Sequence, residues 1–334
     1  MTPALTGGGA NLQQFPRGAS DSSTSNNSFP ALTSELYRTL NEAHSREFHW
    51  HVGRGVGLGA DLLGVMKGML RCLVHGYRFV LEIERQPKGW LTGGGWSQYF
   101  APHFEIRNSI RGDLFNRPHF PLDSRLHEFW ASVTRVALIG HAPRGSRWMF
   151  DPWPPFADPV LIAGIGSPMS YLQACRWLFD IIWDLQPHVR RRVAETRGVL
   201  DLPPRFVAVH IRRGDKRLES PYVPADRFAR IIRDLNKAPL PIVVATDDVA
   251  VLPELQTALG RDWQVVTISV GERPYDQSEF NRLPTEYRFE AILRFITEVE
   301  ILRRAEHFIG SWTTNVACLV RYLRSAVGTT LVEP

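Results

Sequence analysis

Cysteine is scarce. Cys72, Cys175 and Cys318 are the only three in 334 residues, too few and too far apart for a disulfide framework, and no Cys/His spacing matches a zinc site. A reducing compartment fits that usage. Lysine is scarce for so basic a chain: Lys67, Lys88, Lys216 and Lys237 stand against 35 arginines, with a net charge of +5. The arginines are scattered, and no basic run is interleaved with the aromatics that a base-stacking platform needs, which argues against nucleic acid as a partner. No apolar run approaches the ~20 residues of a membrane span, and the N-terminus lacks the basic-then-apolar pattern of a signal peptide. The composition is 44% apolar and 22% charged. Those proportions are those of a globular protein, and the length accommodates two domains with a core each.

Residues 1–30 are rich in Gly, Ser, Asn and Thr, which predicts a disordered leader; the sequon Asn26-Asn27-Ser28 falls within it. A short helix is expected over 34–46. Phe48-His-Trp-His-Val52 then reads as a strand running into Gly53-Arg-Gly55-Val-Gly57-Leu-Gly59-Ala60-Asp61, and 58–75 carries apolar residues at helical spacing. Strand, glycine-rich turn and helix together can seat a phosphate. Phe79-Val-Leu-Glu82-Ile-Glu84 follows as a second strand ending in carboxylates. That sequence of elements loosely matches a dinucleotide fingerprint, in which the late carboxylate holds a ribose; the alternative is a turn where backbone passes close to a neighbouring element. Two aromatic loops, Trp90 to Trp96 and 147–156, could stack on sugars or be buried under the chain. The tripeptides Arg111-Gly-Asp113 and Arg213-Gly-Asp215 sit in no evident hairpin tip. A helix with an aromatic stripe of Trp177, Phe179 and Trp183 spans 171–185 and is read as core. The break at 198–204 divides the chain into domains of 31–198 and 199–334.

The second half reads as regular α/β. Strands are expected at 206–211, 242–246, 264–268 and 307–310, and helices at 225–236, 251–259, 286–305 and 316–324, with a polar loop before Thr285. The informative stretch is Phe206-Val-Ala-Val-His-Ile-Arg-Arg-Gly-Asp-Lys216. It is a buried parallel strand whose charges arrive at its carboxyl end, where open α/β sheets bind ligands. Arg212, Arg213 and Lys216 beside Asp215 suit a diphosphate, because a guanidinium fork grips phosphate oxygens in pairs. A strand ending in a solvated basic loop is the alternative. Thr314 and Asn315 open the last helix, where hydroxyl and amide groups cap it and free backbone N–H groups can take an anion.

With those residues in hand, the chain resembles the α1,6-fucosyltransferases, which include core fucosyltransferases and rhizobial nodulation fucosyltransferases (glycosyltransferase family 23-like). The resemblance rests on His210-Ile-Arg-Arg-Gly-Asp-Lys216, Ala245-Thr-Asp-Asp248 and Gly310-Ser-Trp-Thr-Thr-Asn315 within 298–322, with Arg54-Gly-Val-Gly-Leu-Gly59 and Gly93-Gly-Gly-Trp96 upstream. These blocks run in family order from about 48 to 324. The resemblance implies a GT-B-like α/β fold of two facing Rossmann-like domains, GDP-fucose as donor, a glycan acceptor, inversion at the anomeric carbon and no metal or other cofactor. It implies that Arg212 binds the diphosphate and that Glu219, one residue closer to Lys216 than in the animal pattern, is the catalytic base. His210 and Glu298 would contact guanine. Gly55, Gly57, Gly59, Ala60, Thr314 and Asn315 would lie at the phosphates, with Arg213, Asp215, Lys216 and Asp247 also on the donor. Asp247-Asp248 looks like a metal pair, but its arginine neighbours favour hydrogen bonds to ribose or a loop. A cytoplasmic location is expected, or the Golgi lumen if the chain is a piece of an anchored protein. The rival readings are an NAD(P)-type oxidoreductase, resting on the glycine turn, and an inactive family member that binds glycan or nucleotide.

Overall fold

In the computed structural model, the described residues are 31–54, 57–108, 144–145, 157–202, 204–214, 222–235, 239–269, 275–312, 314–324 and 328–333. The expected leader, the 111–113 tripeptide and the aromatic loop 147–156 lie outside them. The first half carries α1 (Ser34–Glu42), β1 (Glu47–Arg54), α2 (Leu58–His75), β2 (Arg78–Lys88), β3 (Glu105–Asn108) and β4 (Arg144–Gly145). Two helices follow, α3 (Tyr171–Ile182) and α4 (Pro187–Val199). The second half runs β5 (Val207–Ile211), α5 (Ala225–Leu235), β6 (Ile242–Thr246), α6 (Val251–Leu259), β7 (Val265–Thr267), α7 (Gln277–Arg282), α8 (Thr285–Leu302), β8 (His307–Ser311), α9 (Asn315–Leu323) and β9 (Thr329–Val332).

The strands form two sheets, ordered β3-β2-β1-β4 and β7-β6-β5-β8-β9, and every pairing is parallel. In each, the chain winds outward from its first strand and then reverses, between β1 and β4 and between β5 and β8. Such reversal points leave a crevice at the carboxyl ends of the strands.

Alternation along β5 explains its burial on both faces. Val207, Val209 and Ile211 join Phe228, Ala229 and Ile232 of α5 and Val251 and Leu255 of α6 in one apolar cluster. Ala208, on the opposite face, joins Ile292 and Ile296 of α8 and Ala317 of α9 in a second. The second cluster continues through α3 and α2 to Phe48, Trp50 and Val52 of β1, so one core passes from half to half. The stripe on α3 is part of it: Trp177 and Phe179 are buried, and Phe179 stacks on Tyr322 of α9 with centroids 5.5 Å apart. Burying a side chain of that size contributes about 1.5–3 kcal/mol. At Gly68 on α2 a Cβ would stand 2.9 Å from the Trp50 ring, so only glycine lets the helix lie this close to β1.

The structure departs from the sequence reading in several elements. The 171–185 helix stops at Ile182, and α4 follows it. That helix buries only Val189 and Val193, too few apolar positions for its periodicity to show. The polar loop before Thr285 contains α7, capped by Asp276, whose carboxylate accepts from Glu279 N at 2.9 Å. Strands β3, β4 and β9 are additional. Trp90 and Trp96 are buried, so their loop is core rather than a sugar platform; Trp90 Nε1 donates to Asp61 Oδ2 at 2.7 Å.

Candidate active site at the crevice between the two sheets

Beyond Ile211 the alternation of β5 persists for two residues and separates the paired arginines. Arg212 falls on the face of Ala208 and His210, toward α8 and α9. Arg213 falls on the other, where its guanidinium forks onto both oxygens of Glu254 on α6, each at 2.7 Å, and lies 5.9 Å from the Tyr222 ring centroid. The fork of Arg213 is thus engaged with Glu254 on the flank of the sheet, on the face opposite Arg212.

Asp247, directly after β6, organises the loop. Its Oδ1 accepts from Arg213 N at 2.6 Å and its Oδ2 from Gly214 N at 2.7 Å, while Arg212 Nε stands 2.9 Å from Oδ2. At Gly214 a Cβ would stand 2.5 Å from Asp247 Oδ2 and 2.8 Å from the Tyr275 carbonyl, so the turn requires glycine. Both oxygens of Asp247 thus face the loop, and one of them also holds Arg212. Asp248 is likewise engaged locally, accepting from Ala250 N at 3.0 Å. The pair is built as a loop anchor.

Across the crevice stands the glycine turn. Gly57 is the N-cap of α2, without a side-chain cap, and Ala60 N is spent on Gly57 O at 3.0 Å. By position, the amides of Leu58 and Gly59 have no intrahelical acceptor. A Cβ on Gly59 would meet Asn315 Cβ at 3.6 Å and the Phe295 ring at 3.7 Å. The N-termini of α2 and α9 therefore converge, one from each half, with their positive dipole ends toward the same space. At the second, Thr314 Oγ1 accepts from Ala317 N at 3.1 Å and lies 3.4 Å from His210 Nδ1.

His210 is buried, and burial, followed by the charge of Arg212, pushes its imidazole down to about 3. It is a neutral ring at physiological pH. Glu298, on α8 one turn beyond Phe295, accepts from Ser269 Oγ at 3.2 Å; Ser269 in turn accepts from Thr246 N at 2.8 Å. Burial pushes the Glu298 carboxyl up to about 8, with the negative charge of Asp247 adding to the rise and Ser269 and Arg294 opposing it.

The structure thus brings Arg212, His210, Asp247, Glu298, Thr314, Asn315, Gly57, Gly59 and Ala60 around one crevice. Gly55, Asp215, Lys216 and Glu219 lie outside the described residues. Of the two strand-end carboxylates of the dinucleotide reading, Glu82 is engaged with histidines on the sheet face away from α2, its Oε1 2.6 Å from His49 Nδ1 and its Oε2 3.3 Å from His51 Nδ1. Sequence reasoning missed Ser269, Phe295, Tyr275 and Gln277. Only the last two carried a signal, the Asp276 cap opening a short helix.

Among the described residues no helix is long and apolar enough to cross a membrane, and no group of three or more His, Cys, Asp or Glu residues could hold a metal ion. No protein-family model and no curated protein sequence matches the chain. Among solved structures it is similar to NodZ α-1,6-fucosyltransferase soaked with GDP-fucose (17% identity, 84% of this chain and 93% of that one, TM-score 0.49). It is also similar to a variant of Arabidopsis thaliana FUT1 in complex with GDP (12% identity, 87% and 73%, TM-score 0.47), and to POFUT1 in its apo form (10% identity, 86% and 97%, TM-score 0.44).

Proposed function

We propose that the crevice binds a GDP-linked sugar, fucose being the sugar that the motif resemblance favours, and that the protein transfers it to a glycan hydroxyl with inversion. The observation that carries this reading is the convergence of Arg212, fixed by Asp247, with the first-turn amides of α2 and α9. A diphosphate fits that arrangement, a guanidinium fork on one side and two helix N-termini on the other. In the transfer, the bond from the anomeric carbon to the phosphate oxygen breaks and its electron pair stays on GDP. The acceptor oxygen forms the new bond from the opposite face, and its proton passes to a carboxylate, for which Glu219 is the candidate. Arg212 lowers the barrier because the charge it meets grows as the bond breaks. This supplies from the protein the neutralisation that a divalent cation gives elsewhere, and the engagement of Asp247 with the loop supports transfer without a metal. Activity is expected to survive EDTA.

Guanine is the expected base because the carboxyl of Glu298, once ionised, can accept from both N1–H and the exocyclic amine, a donor pair that uracil and adenine do not present. A thermal-shift panel of GDP, UDP, ADP, NAD and GDP-sugars tests the class, followed by GDP release from GDP-fucose. Stabilisation by GDP and GDP-fucose alone is the expected result. Equal stabilisation by UDP, or by NAD, would overturn the reading.

A further inference from the structure

The segment from Tyr275 to Gln277 lies over the crevice and touches both halves of it. Tyr275 N donates to the Asp247 carbonyl at 2.9 Å, which fixes the segment to the end of β6. Its ring centroid lies 5.7 Å from the guanidinium carbon of Arg212. Separate parts of the chain thus hold Arg212, Asp247 at Nε and the Tyr275 ring beneath the guanidinium carbon, where the negative face of the ring attracts the cation. The Tyr275 hydroxyl donates to Gln277 Oε1 at 2.9 Å, and Gln277 Nε2 donates to Asn281 Oδ1 at 3.0 Å. The amide is thereby oriented from both ends. Its Oε1 stands 3.2 Å from where a Cβ of Gly57 would be.

We propose that Tyr275 is a positioning residue of this site: its ring, fixed to the end of β6 through its backbone, orients the Arg212 guanidinium, while its hydroxyl bond to Gln277 is not needed for that role. This inference rests on the proposed reading of the crevice as a GDP-sugar site. A flat guanidinium on a flexible stem makes a paired contact with a diphosphate only when its plane is set, and a misplacement of about 1 Å at a reacting centre costs roughly 10²-fold in rate. Asp247 holds one edge of the fork, and Tyr275 limits rotation about it.

The test uses the full chain with GDP-fucose, reading GDP released by hydrolysis, the affinity for GDP, and the Arg212 Nε–H signal in protein labelled with 15N-arginine. Tyr275→Leu should lower kcat by roughly 10- to 10²-fold, change KM and GDP affinity by no more than about threefold, and shift and broaden the Arg212 signal. Tyr275→Phe keeps the ring and should recover most of kcat and the Arg212 signal. A Tyr275→Leu protein with unchanged kcat and an unmoved Arg212 signal overturns the proposal. So does a Tyr275→Phe protein as impaired as Tyr275→Leu, since the hydroxyl rather than the ring would then matter. If the unmodified protein neither binds GDP nor hydrolyses GDP-fucose, the functional reading fails, and the catalytic use of Tyr275 fails with it even where the Arg212 signal moves.

Discussion

The two halves carry sheets of the same winding, yet they bring different chemistry to the crevice. At the start of α2 Gly57 is the N-cap, and the helix offers backbone amides with no side-chain cap. After β5 the chain offers Arg212, and the remaining groups there serve to hold that residue: Asp247 binds two loop amides and the guanidinium, and Tyr275 lies over it. The β8 to α9 turn is intermediate, with first-turn amides like α2 and a side-chain cap, Thr314. The first half supplies fixed partial charge from the end of α2, and the second adds the end of α9 and a full charge, Arg212, that must be oriented. A ligand with distributed negative charge, such as a diphosphate, needs both.

Replacing the charge-bearing side of this pairing should have the largest effect. Arg212→Lys keeps the charge but loses the fork, and kcat for sugar transfer or hydrolysis should fall roughly 10²-fold or more while GDP affinity falls less. Arg213→Lys, on the flank with Glu254, should leave both within about twofold, since its loss is one partly exposed ion pair. Steady-state kinetics on the two variants separates neighbours that composition alone makes equivalent.

The glycines should divide the same way. Gly214→Ala drives a methyl into Asp247 and the Tyr275 carbonyl, neither of which can yield without releasing Arg212. A destabilisation of about 1–3 kcal/mol is expected, with loss of GDP binding. Gly57→Ala meets only the end of the Gln277 side chain, so it should lower the melting temperature little and weaken GDP binding modestly. Thermal unfolding with and without GDP reads both.

The two buried titratable groups give opposite pH slopes. Glu298, raised from 4.5 to about 8, keeps a proton that the unfolded chain releases. Its contribution to stability is full below pH 4.5 and is lost as pH rises to about 8. His210, lowered from 6.5 to about 3, contributes stability above pH 6.5 that is lost as pH falls toward 3. Each slope is about 1.4 kcal/mol per pH unit. They cancel between pH 4.5 and 6.5, so Glu298→Gln should flatten the decline above pH 6.5 and His210→Gln the decline below pH 4.5. Denaturant unfolding across pH 3 to 8.5 checks both. Thr314→Ala should cost about 1 kcal/mol of stability for the lost cap.

Much of this was legible in the sequence because local pattern and tertiary role agree. Continuous apolar, β-branched runs mark β5 and β6, and the glycine turn leads into α2, whose periodicity matches its observed bounds. The placement of Arg212 and Arg213 on opposite faces was also present, by carrying the alternation of β5 two residues past Ile211. What was not legible depends on contacts remote in sequence. Nothing around Asp247 says that its carboxylate turns back onto 213 and 214, some 34 and 33 residues away. Nothing around Ser269 says that it links β6 to Glu298. Strand β9 and helix α4 escaped because each depends on its neighbours for burial.

The most direct measurement is a crystal structure of the full chain with GDP. The account predicts diphosphate oxygens within hydrogen-bond distance of the Arg212 guanidinium and of first-turn amides of α2 or α9, with the base facing Glu298. A diphosphate seated on Arg213 and the α6 flank, or one that touches Arg212 and leaves both helix ends to solvent, would contradict it.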